Sequence, residues 1–241
     1  MKLTSKDIEE LRRILAAAKI MEIEGIVLDE GMARGARIAI DAAIISESKL
    51  DIPANLRIGI GRVGELEKRL SIFSGEVSIE GKANDSGDVT LLTIVSGKSK
   101  MQYRCQSVNL MQYPKRNEDP EMCRVSISKA EAALIVKSIK TFSADAVVFQ
   151  VTRTGAVRIE CVDSANDKFE IELAAQVKYV DEASSFVQSY NPNLFINILD
   201  HAGRDGEEVE LVLGEVGSLT GRIKGHTVMI FPLNPGEEDN G

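Results

Sequence analysis

Cysteine is scarce in this 241-residue chain, with only Cys105, Cys123 and Cys161. Disulfide scaffolds and zinc sites need even sets or close pairs, so these three widely spaced residues read as reduced, mostly buried thiols. That leaves open a single catalytic Cys beside a spatially adjacent His. Histidine is scarcer still: His201 and His226 stand far apart, with no Ser or Cys motif near either in sequence. No phosphate loop is present, because the Ser96–Ser99 stretch SGKS lacks the first glycine of that motif. No apolar run approaches the ~20 residues of a membrane helix. The polar, charged opening MKLTSKDIEELRR is unlike a secretory signal. These absences lead to the expectation of a cytoplasmic protein with no membrane association, no metal and no cofactor.

A basic excess is also missing. The net charge is −8, which argues against generic adhesion to nucleic acid. The deficit is uneven: residues 1–122 carry 18 Lys and Arg against 19 Asp and Glu, and residues 123–241 carry 11 against 18. The acid therefore belongs to the second half, and the basic residues of the first half need a reason. The 44% hydrophobic and 27% charged content is ordinary for a globular protein.

What is present is an order of elements that occurs twice. A short strand at 1–3 is followed by a helix to about Lys19, capped by Thr4 or Ser5, with Ile8, Leu11, Leu15 and Ala18 on one face. GIVLDEGM, GARIAIDAAI and LRIGI read as strands. A second helix, Arg62 to Phe73, places Val63, Leu66, Leu70 and Phe73 together. EVSIEGKA, VTLLTIVS and KSKMQYRCQSV are further strands. VNLMQYPKRNEDPEMC, with Pro114 and Pro120 and no periodicity, is a linker. The second half then repeats the order. CRVSI is a strand, and Ser128 to Glu131 forms a capping box that opens a helix to about Phe142. AVVFQVTRTG, AVRIECVD, KFEIELAAQV and SSFVQSYN follow as strands. A helix NLFINILDHA comes next, with Pro192 near its start and Gly203 placed to end it, and three more strands close the chain. The expectation is an α+β fold of two similar domains, each with antiparallel sheets and two helices. The boundaries are 1–107 for the first domain, 108–122 for the connecting linker, 123–234 for the second domain and 235–241 for a flexible acidic tail.

RIGIGRVGELEKRL, Arg57 to Leu70, contains Gly59, Gly61 and Gly64 in G-x-G-x-x-G spacing. A dinucleotide site needs strands alternating with helices in a parallel sheet. Here hairpins intervene, Arg57 sits in the strand, and the helix opens Glu-Leu-Glu beside the would-be pyrophosphate. The fingerprint is weak out of context.

The helices carry cations away from their apolar faces. Lys6 with Arg13, Arg12 with Lys19, and Arg62 with Arg69 are seven apart. Lys68 lies beside Arg69, and Lys129, Lys137 and Lys140 share a face of the third helix. The fourth helix has only His201, with Arg204 just beyond. Each face alone reads as solvated surface. Three basic faces within an acidic chain suggest one positive surface that contacts phosphates without reading bases.

MKLTSKDIEELRRIL at the start, and LFINILDHAG, EEVELVLG and GRIKGHTVMIFPLN near the end, resemble the DNA polymerase sliding clamps of T-even-type bacteriophages. Those clamps are processivity factors related to proliferating cell nuclear antigen. The resemblance covers essentially the whole chain. It implies a homotrimeric closed ring, two clamp-fold domains per subunit, around sequence-independent double-stranded DNA. The ring would tether a DNA polymerase, be opened by a separate ATP-dependent clamp loader, and perform no catalysis itself. Other replication, repair or transcription proteins would share its docking site. In a viral source the compartment would be the host cytoplasm. The DNA-facing residues it implies are Lys6, Arg12, Arg13, Lys19, Arg62, Lys68, Arg69, Lys129, Lys137 and Lys140. The implied partner pocket uses Ile44, Ile45, Leu110, Met111, Tyr113, Phe231 and Pro232. The competing readings are a nucleotide-cofactor-binding enzyme using the Gly59–Gly61–Gly64 turn, and a structural β-rich oligomeric protein.

Overall fold

The computed structural model describes residues 2–29, 31–73, 76–114, 119–180, 183–202 and 208–233. The expected helix stop at Gly203, the cation at Arg204, the linker centre at 115–118 and the acidic tail lie outside the described residues. The chain divides into two compact units: Met1–Arg116 with Lys224–Val228, and Asn117–Ile223 with Met229–Gly241.

The first unit contains β1 (Lys2–Leu3), α1 (Ser5–Ile20), β2 (Ile26–Asp29), β3 (Met32–Ala36), β4 (Ala42–Glu47), β5 (Arg57–Ile60), α2 (Val63–Leu70), β6 (Ser78–Ala83), β7 (Asp88–Ser96) and β8 (Ser99–Arg104). Its strands are hydrogen-bonded in the order β1-β6-β7-β5-β2-β3-β4, and β8 also pairs with β7. All these pairs are antiparallel except β5 with β7, which run parallel over Arg57–Asp88 and Ile58–Val89. The Arg57 guanidinium meets the Asp88 carboxylate at 2.7 Å on that short parallel rung. So the arginine that looked foreign to a buried strand is neutralised by its neighbour.

α1 forms where the sequence places it. The Thr4 N–H and hydroxyl both donate to Asp7 Oδ2, at 2.8 and 2.7 Å, closing a capping box. Ile8, Leu11, Leu15 and Ala18 are all buried, as are Val63, Leu66, Leu70 and Phe73 of the α2 region. Each fully buried Leu or Ile contributes roughly 1.5–3 kcal/mol, and α1 and α2 pack on each other.

GARIAIDAAI is not one strand. Ile38–Asp41 is a turn between β3 and β4, with Ile40 in the left-handed region at φ 57°. The Arg37–Asp41 ion pair at 3.0 Å and the Arg37 N–H to Ala42 carbonyl bond close it.

The second unit contains β9 (Glu121–Ser128), α3 (Lys129–Phe142), β10 (Ala146–Val151), β11 (Val157–Val162), β12 (Lys168–Leu173), β13 (Gln176–Tyr179), β14 (Phe186–Tyr190), α4 (Pro192–Ala202), β15 (Glu208–Gly214) and β16 (Leu219–Ile223). β17 (His226–Ile230) begins among the residues of the first unit. One sheet of the second unit runs β12-β11-β10-β14, and the other set runs β16-β15-β9-β13, all antiparallel. Ser128 caps α3 as its sequence requires: its Oγ accepts from the Glu131 N–H, and the Glu131 carboxylate accepts from the Ser128 N–H. KFEIELAAQV is divided. β12 ends at Leu173 and β13 joins a different sheet, with the Ala174 N–H donating to Glu131 Oε1 at 2.7 Å at the break. α3 and α4 pack as a pair, as α1 and α2 do.

Candidate nucleic-acid interface and partner pocket

The exposed stripe of α1 runs through Lys6, Glu9, Arg13 and Lys19, opposite its buried face. Arg12 is not on it. Its guanidinium donates to the Leu70 carbonyl at 2.6 Å and the Phe73 carbonyl at 3.0 Å. There it satisfies carbonyls at the C-terminal end of α2, where a cation also complements the helix dipole. Five other cations have carboxylate partners. Arg13 sits 3.5 Å from Glu10, Lys19 2.9 Å from Glu67, Arg62 2.9 Å from Glu65, and Lys140 3.6 Å from Asp200; Arg69 shares Glu65 with Arg62. Arg62 also lies over the Tyr103 ring, 5.3 Å from its centroid. Lys6, Lys68, Lys129 and Lys137 are exposed and form no ion pair among the described residues. Lys19, Arg62 and Lys140 keep more than half of their side chains in solvent, whereas Glu10 beside Arg13 is buried. Exposed pairs are worth about 0–1 kcal/mol, which leaves those three cations able to exchange a carboxylate for a phosphate. On α4 the exposed side chains are Asn193 and Asp200, so this helix brings an acid rather than a base to its pair.

The linker begins as a chain segment seated on the first unit. Val108–Leu110 is a single 3-10 turn with Val108 buried, while Leu110 is 76% exposed. A cavity of about 300 Å³ lies beside it, lined by Glu24, Gly25, Ala36, Ile38, Gly61, Gln106, Leu110, Met111 and Gln112. Ile38, at 80%, is the other large exposed apolar side chain on this rim. Tyr113 is half-buried under the Arg34 guanidinium, which lies 5.5 Å from the ring centroid and 2.5 Å from the Asp29 carboxylate. Of the other residues implied for the pocket, Ile44 is sealed in the core opposite Gly35, and Ile45 is half-buried opposite Arg34. Phe231 and Pro232 are half-buried in the second unit. Sequence reasoning missed Ile38, because it read the turn as strand. The signal was there: Ile38 and Ile40 flank Ala39 immediately before Asp41, where a chain reversal exposes both.

Gly59 and Gly61 are occupied by the chain itself. A Cβ on Gly59 would stand 2.3 Å from the Gln106 carbonyl oxygen, and one on Gly61 would stand 1.7 Å from Gln106 Oε1. Nothing lies within 4 Å of such an atom on Gly64. The turn therefore presents no open cradle for a pyrophosphate, and the cofactor reading loses its site.

The cysteines and histidines can be placed in the same way. Burial raises the Cys105 thiol to about 12 and, with the Glu121 charge, the Cys123 thiol to about 11, and raises Cys161 as well, which favours the protonated thiol at neutral pH. His226 does have a serine partner, 180 residues away: Ser46 Oγ is 3.1 Å from Nδ1. The Ser46 hydroxyl also reaches the Glu47 carbonyl at 3.2 Å, and the imidazole tautomer sets which of Ser46 Oγ and Nδ1 donates to the other. Nε2 lies 4.0 Å from Glu10 with no hydrogen-bond partner among the described residues. Ser46 and His226 are both buried, so no substrate carbonyl reaches them. Burial lowers the His226 pKa, with Arg13 and Lys49 acting the same way and Glu10 opposing.

Among the described residues, no helix is long and apolar enough to cross a membrane, and no three His, Cys, Asp or Glu side chains gather as a metal site. No family model matches the chain, and no curated protein matches it in sequence. Solved structures do. Proliferating cellular nuclear antigen from Entamoeba histolytica superposes with a TM-score of 0.67 at 12% identity, covering 96% of this chain and 98% of that one. A chain of the PCNA2–PCNA3 complex from Sulfolobus tokodaii gives 0.64 at 13% identity, with 96% and 99% covered. The chain has the clamp fold. In the clamp fold's terms, α1–α2 and α3–α4 are the helix pairs of the two units, and Gln106–Gln112 opens the connection between them.

Proposed function

We propose that this chain is the subunit of a homotrimeric sliding clamp of the phage type, a ring that encircles duplex DNA and tethers a DNA polymerase without catalysis of its own. The observation that carries the reading is the clamp fold along 96% of the chain, joined to helix pairs whose exposed faces hold Lys6, Lys68, Lys129 and Lys137 with no ion pair among the described residues. Contacts from such lysines to phosphate are sequence-independent. A closed ring keeps its cargo at the primer end by topology, which raises effective concentration rather than affinity.

Assembly is supported by two of the open strand edges. Among the described residues β8 pairs only with β7, and β12 only with β11. β8 is flanked and lined by Lys98, Lys100 and Arg104, whereas β12 exposes Glu170 and Glu172, with Arg158 the nearest cation to both. Unlike edges on different units make a head-to-tail contact, which closes into a ring when the rotation allows. An apolar hollow around Leu110, Met111 and Ile38 would take a short apolar segment of the polymerase or of another partner, and a separate ATP-dependent loader would open the ring.

The test is loading onto nicked circular DNA with the cognate loader and ATP, followed by linearisation. Retention on the circle and release from the linear form is the expected result. Equal retention on both would exclude topological binding, and a structural oligomer would bind neither.

A further inference from the structure

The glycine spacing that imitates a cofactor motif has another use. Gln106 N–H donates to the Gly59 carbonyl at 2.9 Å, which fastens the segment after β8 onto β5. Beyond that bond, the Met111 thioether lies against the glycine backbone. A Cβ on Gly59 would be 2.8 Å from Met111 Sδ, and one on Gly25 would be 3.0 Å from Met111 Cε. The same Met111 and Gln106 wall the 300 Å³ cavity beside Ile38 and Leu110.

We infer that Gly59 and Gly61 are positioning residues for the partner-binding segment: by lacking side chains they let Gln106–Met111 lie flat on β5 and hold Leu110 outward at the cavity rim. The inference rests on the pocket reading above only for the identity of what binds. Seating itself is a property of this unit alone.

The three glycines are not equivalent under this inference. The obstacles to a Cβ on Gly59 are the Gln106 backbone carbonyl and the Met111 sulfur, and the carbonyl can move only by shifting the main chain next to the Gln106–Gly59 bond. The obstacle at Gly61 is the amide end of the Gln106 side chain, which can rotate. Gly64, in the first turn of α2, faces open space, and alanine there is the better helix former.

Amide hydrogen exchange separates local seating from global stability. In Gly59→Ala, exchange at the Gln106 and Met111 amides should rise on the order of tenfold or more, and the Met111 methyl resonance should shift. The Leu15 amide, inside α1, and the urea midpoint should stay near those of the parent. Gly61→Ala should raise exchange only a few-fold, and adding Gln106→Ala should return the Met111 resonance to its original position. Gly64→Ala should change neither. If Gly59→Ala does not fold, the Gly61→Ala and Gln106→Ala pair carries the test, and failure of the second change to reverse the first overturns the inference. So does a Gly59→Ala protein that folds with parental exchange at Gln106, or a Gly64→Ala protein as unseated as Gly59→Ala. Stimulation of the cognate polymerase is measured alongside. An unseated segment with full stimulation would sink the pocket reading and leave the seating inference standing.

Discussion

Arg12 demonstrates how far a residue's role depends on what lies across from it. By spacing it belongs with Lys19 on a basic face; by geometry it closes the end of α2 through the Leu70 and Phe73 carbonyls. Arg12→Ala should lower unfolding free energy by about 1–3 kcal/mol, because two carbonyls lose a charged donor. Lys6→Ala should change it by less than about 0.5 kcal/mol, and paired urea titrations compare the two. His226 gives a pH signature. Its folded pKa lies below the ordinary 6.5, so on acidification the unfolded chain takes up the proton first. Stability contributed by the neutral ring is complete above 6.5 and falls as pH drops through that value towards the folded pKa. Between about pH 7.5 and about pH 5.5 the loss should be steeper in the parent than in His226→Gln; equal slopes in denaturant midpoints would remove His226 as the source. Neither role was legible in the sequence. The Arg12–Leu70 contact spans 58 residues and the Ser46–His226 contact 180, and no local pattern encodes such distances.

At the scale of elements the sequence was more informative, because helices announce themselves locally. The Ser128–Glu131 box and the Ile8, Leu11, Leu15, Ala18 stripe both appear where periodicity and capping chemistry put them. Strand ends were less legible. Both missed breaks, Ile38–Asp41 and Ala174–Ala175, lack the glycine or proline that usually marks one, and are set by Arg37–Asp41 and by Glu131 instead. The cation faces were legible as positions but not as partners, since Glu65, Glu67 and Glu10 engage cations the sequence left free. Charge reversal on the proposed lining therefore belongs at the lysines with no ion pair among the described residues. Lys6→Glu, Lys68→Glu and Lys137→Glu together should leave folding and assembly intact, since exposed changes are usually small. Loading on circular DNA should fall, most at low salt where screening is weakest. Parental loading at low salt would mean these helices do not face DNA.

For the whole molecule, the two-fold recurrence of strand, helix and hairpins was enough to give the α+β class, and the solved clamp structures share that fold over nearly the full chain. Which strands become edges was not legible, because edge status depends on order in a sheet rather than order in sequence. That order makes assembly testable by charge exchange. On the proposed trimer, Lys100→Glu with Arg104→Glu on β8 should lower the solution mass from three times 26.3 kDa towards one. Adding Glu170→Lys and Glu172→Lys on β12 should restore it, and light scattering reads both. An unchanged trimer in the first variant would place the contact elsewhere. On the ring reading, the paired cations of α1, α2 and α3 have a consequence for motion. An arginine that leaves Glu65 for a phosphate, and returns as the phosphate passes, exchanges one contact for another of similar strength. The energy profile along the duplex is then shallow, with low barriers between successive phosphates. A lining of bare cations would bind more tightly and travel with more friction; these carboxylates set the compromise towards travel.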